Sequence, residues 1–122
     1  MELRIKGTDY TVTGEVKDYL QTRLEAVERH LGADAELALC EVELGRAVGH
    51  SKNGEVWKAE INLTHQKEFV RATATAETIN AAIDAVKAEI LDQLQKRKQI
   101  HRRLLRKGGN ILKGLMRRNE VA

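Results

Sequence analysis

Only one cysteine occurs in the 122 residues, Cys40, so no intramolecular disulfide can form and the fold has to be held by packing alone. Aromatic residues make up 3% of the chain, and Tyr10, Tyr19, Trp57 and Phe69 are the only large rings. A core must therefore be built from Leu, Ile, Val and Ala, of which the 42% apolar content supplies enough for one modest domain. No apolar run approaches the roughly 20 residues that span a bilayer. The first residues, MELRIKGTDY, lack the apolar centre of a secretory signal, so a cytoplasmic location is the expectation.

Chemistry-bearing patterns are equally scarce. His30, His50, His65 and His101 are scattered without metal-ligand spacing, and a structural zinc site needs four close ligands. Cys40 alternates with apolar strand residues and has no basic neighbour in sequence to activate a thiolate, which points to a core position. The only paired glycines, Gly108 and Gly109, follow a helical stretch instead of opening one, so no phosphate-binding loop is indicated. Glu41 and Glu43 are out-facing strand positions and read as solvated. No cofactor, metal, small-molecule substrate or catalytic residue is expected.

Charge, by contrast, is abundant and unevenly placed. The formal net charge of +3 conceals a split: residues 1–92 carry 11 Lys and Arg against 17 Asp and Glu, whereas residues 93–122 carry 10 against 1. The first part is therefore at −6 and the second at +9. Opposite signs on two ends of one small chain point to a polyanionic partner, which orients such a molecule as it approaches.

Periodicity assigns the elements. ELRIK alternates, with Leu3 and Ile5 on one face, and Gly7 punctuates it. Thr13 is placed to cap a helix whose stripe is Val16, Leu20, Leu24, Val27 and Leu31, with Glu15 in the first turn and Gly32 as its stop. Three alternating strands follow: Ala38, Cys40, Val42 and Leu44; then Trp57, Ala59, Ile61 and Leu63; then Val70, Ala72, Ala74 and Ala76. Asn53-Gly54 and HQKE supply the turns between them. Trp57 shares the apolar parity and is expected in the core, while Phe69 lies on the polar parity as a candidate exposed stacking ring. From Glu77 to Lys107 the chain contains neither Gly nor Pro, and Ile79, Ile83, Val86, Ile90 and Leu94 recur at helical spacing, with Thr75 or Thr78 as the cap. The glycine pair is expected to end this helix, leaving 108–122 as a basic, flexible tail with Ile111, Leu112, Leu115 and Met116 clustered.

The predicted fold is α+β: a β-α-β-β-β-α two-layer sandwich in which a four-stranded mixed sheet carries two helices on one face. The helical crossover from the first strand allows it to pair in parallel, while the remaining hairpins are antiparallel. Residues 1–107 form the domain.

Several residues carry a family resemblance. Gly7, Thr13, Lys17, Tyr19, Arg23 and Leu24 at the start, and Ala82, Ile83, Asp84, Gln93, Leu94, Lys96 and Lys98 later, stand in an order and spacing similar to the ribosome hibernation-promoting factors, also called ribosome-associated inhibitors or sigma-54 modulation proteins. The resemblance spans 1 to about 103. It implies a fold like that of a double-stranded RNA-binding domain and a non-enzymatic factor that occupies the mRNA and tRNA channel of the small ribosomal subunit. The chain after Gly109 is too short for the separate dimerisation domain of long family members, so a short form is implied, monomeric off the ribosome, with no membrane partner.

In that setting Lys96, Arg97, Lys98, Arg102, Arg103, Arg106 and Lys107 are candidate contacts to rRNA phosphates, since seven like charges in twelve residues repel until a polyanion neutralises them. Their helical spacing points them nearly all round the axis. Lys17, Arg23 and Arg29 on the first helix are candidates for a second row, as is Lys87 on the last, although each reads almost as well as an ordinary surface cation. Asp84 and Glu89 are suited to offsetting neighbouring cations. Two other readings stay open: a protein-interaction module that docks through the 108–122 tail, and a general double-stranded RNA binder.

Overall fold

The computed structural model of the chain describes residues 1–47 and 56–121, with side chains through 108. The Asn53-Gly54 turn and the tail side chains, Ile111, Leu112, Leu115 and Met116 among them, lie outside what is described. The order is β1 (Glu2–Thr8), α1 (Gly14–Leu31), a 3₁₀ segment (Gly32–Leu37), β2 (Leu39–Arg46), β3 (Trp57–His65), β4 (Glu68–Ala76) and α2 (Ile79–Val121). Two compact units result, Met1–Asp92 and Gln93–Ala122.

The strands lie in sequence order, with β1 parallel to β2 and the other two pairings antiparallel. Register turns the alternation of the sequence into rows across the sheet. Leu3, Cys40, Leu63 and Val70 form one row, and Ile5, Val42, Ile61 and Ala72 the next. All the buried apolar side chains of the strands belong to this parity. The opposite face keeps Glu41, Lys58, Arg71 and Thr73 exposed, so the helices cover the apolar side alone, as an antiparallel-rich sheet with one wet face requires.

Each helix presents its stripe to that side. Leu20, Leu24, Val27 and Leu31 of α1 are buried, as are Ala82, Ile83, Val86, Ile90 and Leu94 of α2. The Thr13 hydroxyl accepts from the Val16 N–H at 3.2 Å, and Gly32 ends α1 at φ 60°. Of the two threonines available to cap α2, Thr78 does so, accepting from the Ala81 N–H at 3.1 Å. HQKE becomes a two-residue hairpin with Gln66 and Lys67 both left-handed, at φ 48° and 66°, the backbone whose twist matches paired strands. Gln66 then donates to Asp34 at 2.7 Å, tying this turn to the 3₁₀ segment.

Three expectations change and one element is new. The glycine pair does not end α2, which continues through Gly108 and Gly109 to Val121. A helical glycine costs about 1 kcal/mol in backbone entropy but forbids nothing, whereas a proline would clash. Gly7 does not stop β1, which runs on to Thr8; it is required because a Cβ there would meet the Tyr10 carbonyl as the chain doubles back. The 3₁₀ segment was not legible, because GADAEL has no apolar period and leaves Leu37 92% exposed. Trp57 keeps the apolar parity but sits in the last row, half-buried, edge-on to Tyr10 at 5.1 Å with the Arg46 guanidinium 5.2 Å from its ring centre.

Two predictions follow from the core. Gly45 pairs with Thr8, and a Cβ on it would collide with the Thr8 carbonyl oxygen. Gly45→Ala is therefore expected to cost about 1–3 kcal/mol, the range for overpacking, read as a lowered urea midpoint; an unchanged midpoint would show that the β1–β2 end yields freely. Cys40 is fully buried, and loss of water, with lesser help from Glu28 and Glu41, pushes its thiol up to about 12. The native protein should react with a disulfide reagent at pH 8 at least roughly 1000-fold more slowly than the urea-unfolded chain, since the thiolate is the nucleophile.

Candidate nucleic-acid interface

The two stretches that carry the family resemblance converge in space. Leu24, Ala82 and Ile83 are buried between the layers. At the surface above them the Tyr19 hydroxyl donates to Asp84 Oδ2 at 2.7 Å, Arg23 Nε donates to Asp84 Oδ1 at 3.0 Å, and Arg23 Nη2 donates to the Tyr19 oxygen at 3.1 Å. The guanidinium also lies 4.2 Å from the centre of the Tyr19 ring. Tyr19 and Arg23 are one helical turn apart on α1, so a single carboxylate on α2 reaches both. This clasp joins α1 to α2 at the surface.

Its electrostatics are mutual. Partial burial opposes ionisation of Asp84, but hydrogen bonds from Tyr19 and Arg23, with the charges of Arg23 and Lys87 added, outweigh it and hold the carboxyl below its usual range. Arg23 is held above its ordinary value by its bonds to Asp84 and then Tyr19. The sequence singles out Tyr19, Arg23 and Asp84, but as a possible phosphate contact and a local charge offset; spacing within one helix cannot reveal a bond between residues 61 positions apart.

The other candidates on this unit are dispersed. Lys17 is exposed and borders a groove between β1 and α1 with Leu3, Ile5, Val12 and Gln21. Arg29 is exposed in the last turn of α1, and Lys87 is half-buried one turn beyond Asp84. The open face of the sheet is mixed: Arg71 pairs with Glu60 at 3.2 Å and bonds Asn62 at 2.8 Å, Arg4 pairs with Glu2 at 3.1 Å, and Thr8 donates to Glu43 at 2.6 Å. Phe69 is 49% exposed there, as its parity indicates, with the Arg71 guanidinium 5.6 Å from its ring centre.

Within the second unit Lys96, Arg97, Lys98, Arg102, Arg103, Arg106 and Lys107 are all exposed, with no acidic residue among them. Their spacing is more ordered than cations nearly all round the axis. At about 100° per residue, six of the seven fall within roughly half of the circumference. Arg97 alone lies on the other half, among Ile100, Leu104 and Leu105, which are 54%, 61% and 62% exposed. Among the described residues no group of three or more His, Cys, Asp and Glu could hold a metal ion, and no helix is long and apolar enough to cross a membrane.

A mixed four-stranded sheet with two helices on one face defines a small α+β domain, and the charged residues from 96 to 107 of its last helix are all positive. The chain belongs to the family described as Sigma 54 modulation protein / S30EA ribosomal protein, which matches residues 3–102. A Picosynechococcus protein named Ribosome hibernation promotion factor is 30% identical over 99 residues, covering 81% of this chain and 50% of its own length. The chain thus spans about half of that curated relative. Among solved structures, the Thermus thermophilus Protein Y N-terminal domain matches with a TM-score of 0.64 at 21% identity, covering 79% of this chain and 98% of its own. A ribosomal subunit interface protein from Coxiella burnetii matches at 0.65 and 12%, covering 81% and 99%. At these identities the likeness is one of fold.

The clasp gives a pH signature. A carboxyl held lower in the folded state than in the unfolded one adds stability above its unfolded value, about 4, and that contribution is lost as pH falls through the folded value. Asp84→Asn should be less stable than wild type at pH 7, and the gap should shrink by pH 3. Urea midpoints at the two pH values test this; a gap of equal size at both would mean that the charge of Asp84 contributes nothing.

Proposed function

We propose that this chain is a ribosome-associated hibernation factor that occupies the mRNA and tRNA channel of the small subunit and blocks it by occlusion. The observation that carries the reading is the cationic run of α2, seven Lys and Arg from 96 to 107 with no acid between them. Family membership and the named relative support it. Arg forks onto phosphate oxygens and Lys acts as a point charge, so this surface grips rRNA without reading its sequence. Selectivity then comes from shape, as RNA helices are recognised largely through phosphates, 2′-hydroxyls and groove geometry. Residues 1–107 form the ribosome-binding part, with Lys17, Arg29 and Lys87 as separate secondary contacts; Arg23 contributes mainly by joining the two helices through Asp84. The chain works without a cofactor or a catalytic step, in the cytoplasm, as a monomer when off the ribosome.

Polyelectrolyte binding makes this reading quantitative. Affinity for small subunits should fall steeply with salt, log K against log salt having a slope of about −0.7 to −0.9 for each phosphate neutralised. Reversing Lys96, Arg97, Lys98, Arg102 and Arg103 to Glu should reduce co-sedimentation with small subunits on the order of 100-fold or more and flatten that slope, with the circular dichroism spectrum unchanged. A folded variant that still sediments with subunits removes α2 from the interface. Equal affinity for a plain RNA duplex and for subunits would instead identify a general double-stranded RNA binder.

A further inference from the structure

The helix that carries the cations has a second face that holds only one of the seven, Arg97. Projected down the axis at about 100° per residue, Lys98, Arg102, Arg106, Arg103, Lys96 and Lys107 share one half with Gln95 and Gln99. Ile100, Leu104, His101 and Leu105 occupy the other half, and Arg97 falls near its middle. This arc continues the stripe that is buried at Ile83, Val86, Ile90 and Leu94. Beyond Leu94 the burial stops: Ile100, Leu104 and Leu105 leave more than half of their surface in water. Phosphate oxygens call for cations and N–H donors, and they gain nothing from three large aliphatic side chains on the opposite side of the same two turns.

Charge decides what covers such an arc. A second copy presenting the same arc would set Arg97 against Arg97, between two helices whose charged residues from 96 to 107 are all positive, and like charges brought together in this way repel. A bilayer would take the aliphatic residues, but the guanidinium lies at the centre of the arc, where it would be pushed deepest into the hydrocarbon margin, and there are no aromatic residues from 93 to 108 to anchor the interface. A folded protein surface meets both demands, since it can offer apolar side chains to Ile100, Leu104 and Leu105 and a carboxylate to Arg97.

We propose that this arc is a protein-docking surface, and that its occupant is an apolar patch bearing an acidic residue on a protein component of the small subunit whose rRNA takes the basic half. The inference rests on the ribosomal reading above. The helix is then held between RNA on one side and protein on the other. Salt dependence comes from the first contact and part of the affinity from the second.

The test compares two probes, intact small subunits and the protein-free rRNA extracted from them, each titrated with the full chain at several salt concentrations. The triple variant Ile100→Gln, Leu104→Gln, Leu105→Gln keeps good helix formers at exposed positions, so the fold is retained. It should bind intact subunits roughly 10-fold or more weakly, while its affinity for protein-free rRNA and its salt slope stay at the wild-type values. Arg97→Gln should likewise weaken binding to subunits more than to rRNA. The inference is overturned if the triple variant binds subunits as tightly as wild type, or loses equally on both probes, which would place the aliphatic residues against RNA. It is also overturned if wild type but not the variant is carried down by 3:1 phosphatidylcholine:phosphatidylglycerol vesicles, or if wild type but not the variant dimerises in sedimentation equilibrium. Failure of the wild-type chain to bind either probe is a separate result, which sinks the ribosomal reading and this one with it.

Discussion

Everything in the first unit depends on the strict alternation of apolar and polar residues along four strands, because a sheet with one apolar face has one way to leave water. The register places Leu3, Cys40, Leu63 and Val70 side by side, and Ile5, Val42, Ile61 and Ala72 beside them, so a slip of one residue in any strand would move its whole apolar set to the wet side. With so few aromatic residues, the interior is filled by aliphatic chains and one thiol that share this parity. The helices have to lie where those rows are, and their stripes of Leu, Val and Ile complete the layer.

Given that layer, charge is free to separate. The carboxylates of the body are spread over the open sheet face and the outer sides of the helices, and several are paired with cations, as Glu60 is with Arg71 and Asp84 with Arg23. Along α2, no acidic residue occurs in the sequence from 96 to 107, where seven cations stand. One arginine of the first helix is drawn into a clasp with Asp84, while Arg97, Arg102, Arg103 and Arg106 of α2 are exposed. The same residue type thus does structural work in one place and carries the candidate interface in another, according to what the fold brings beside it.

Much of this was legible along the chain. Alternation and helical stripes name every strand and both helices, Thr13 and Gly32 mark the ends of α1, and a helical crossover leaves room for the parallel pairing of β1 that the sheet adopts. The charge split also stands in the sequence. Less was legible where no period exists, as in Gly32–Leu37, or where a local rule allows two outcomes, as at Gly108 and Gly109: two glycines weaken a helix without breaking it. Pairs distant in sequence were not legible as contacts. Tyr19, Arg23 and Asp84 are visible as letters, but spacing does not say that one carboxylate closes on both of the others.

The sequence by itself determined the fold class, the parity that selects the core and the placement of positive charge near one end, because each is a periodic or summed property that survives projection onto a line. Tertiary structure alone decided that Arg23 is committed to Asp84, that Trp57 stays half in water, and that the stripe of α2 is buried at Leu94 but exposed at Ile100, Leu104 and Leu105. Those outcomes depend on which surfaces meet in three dimensions, and burial and hydrogen bonding are fixed only when they do.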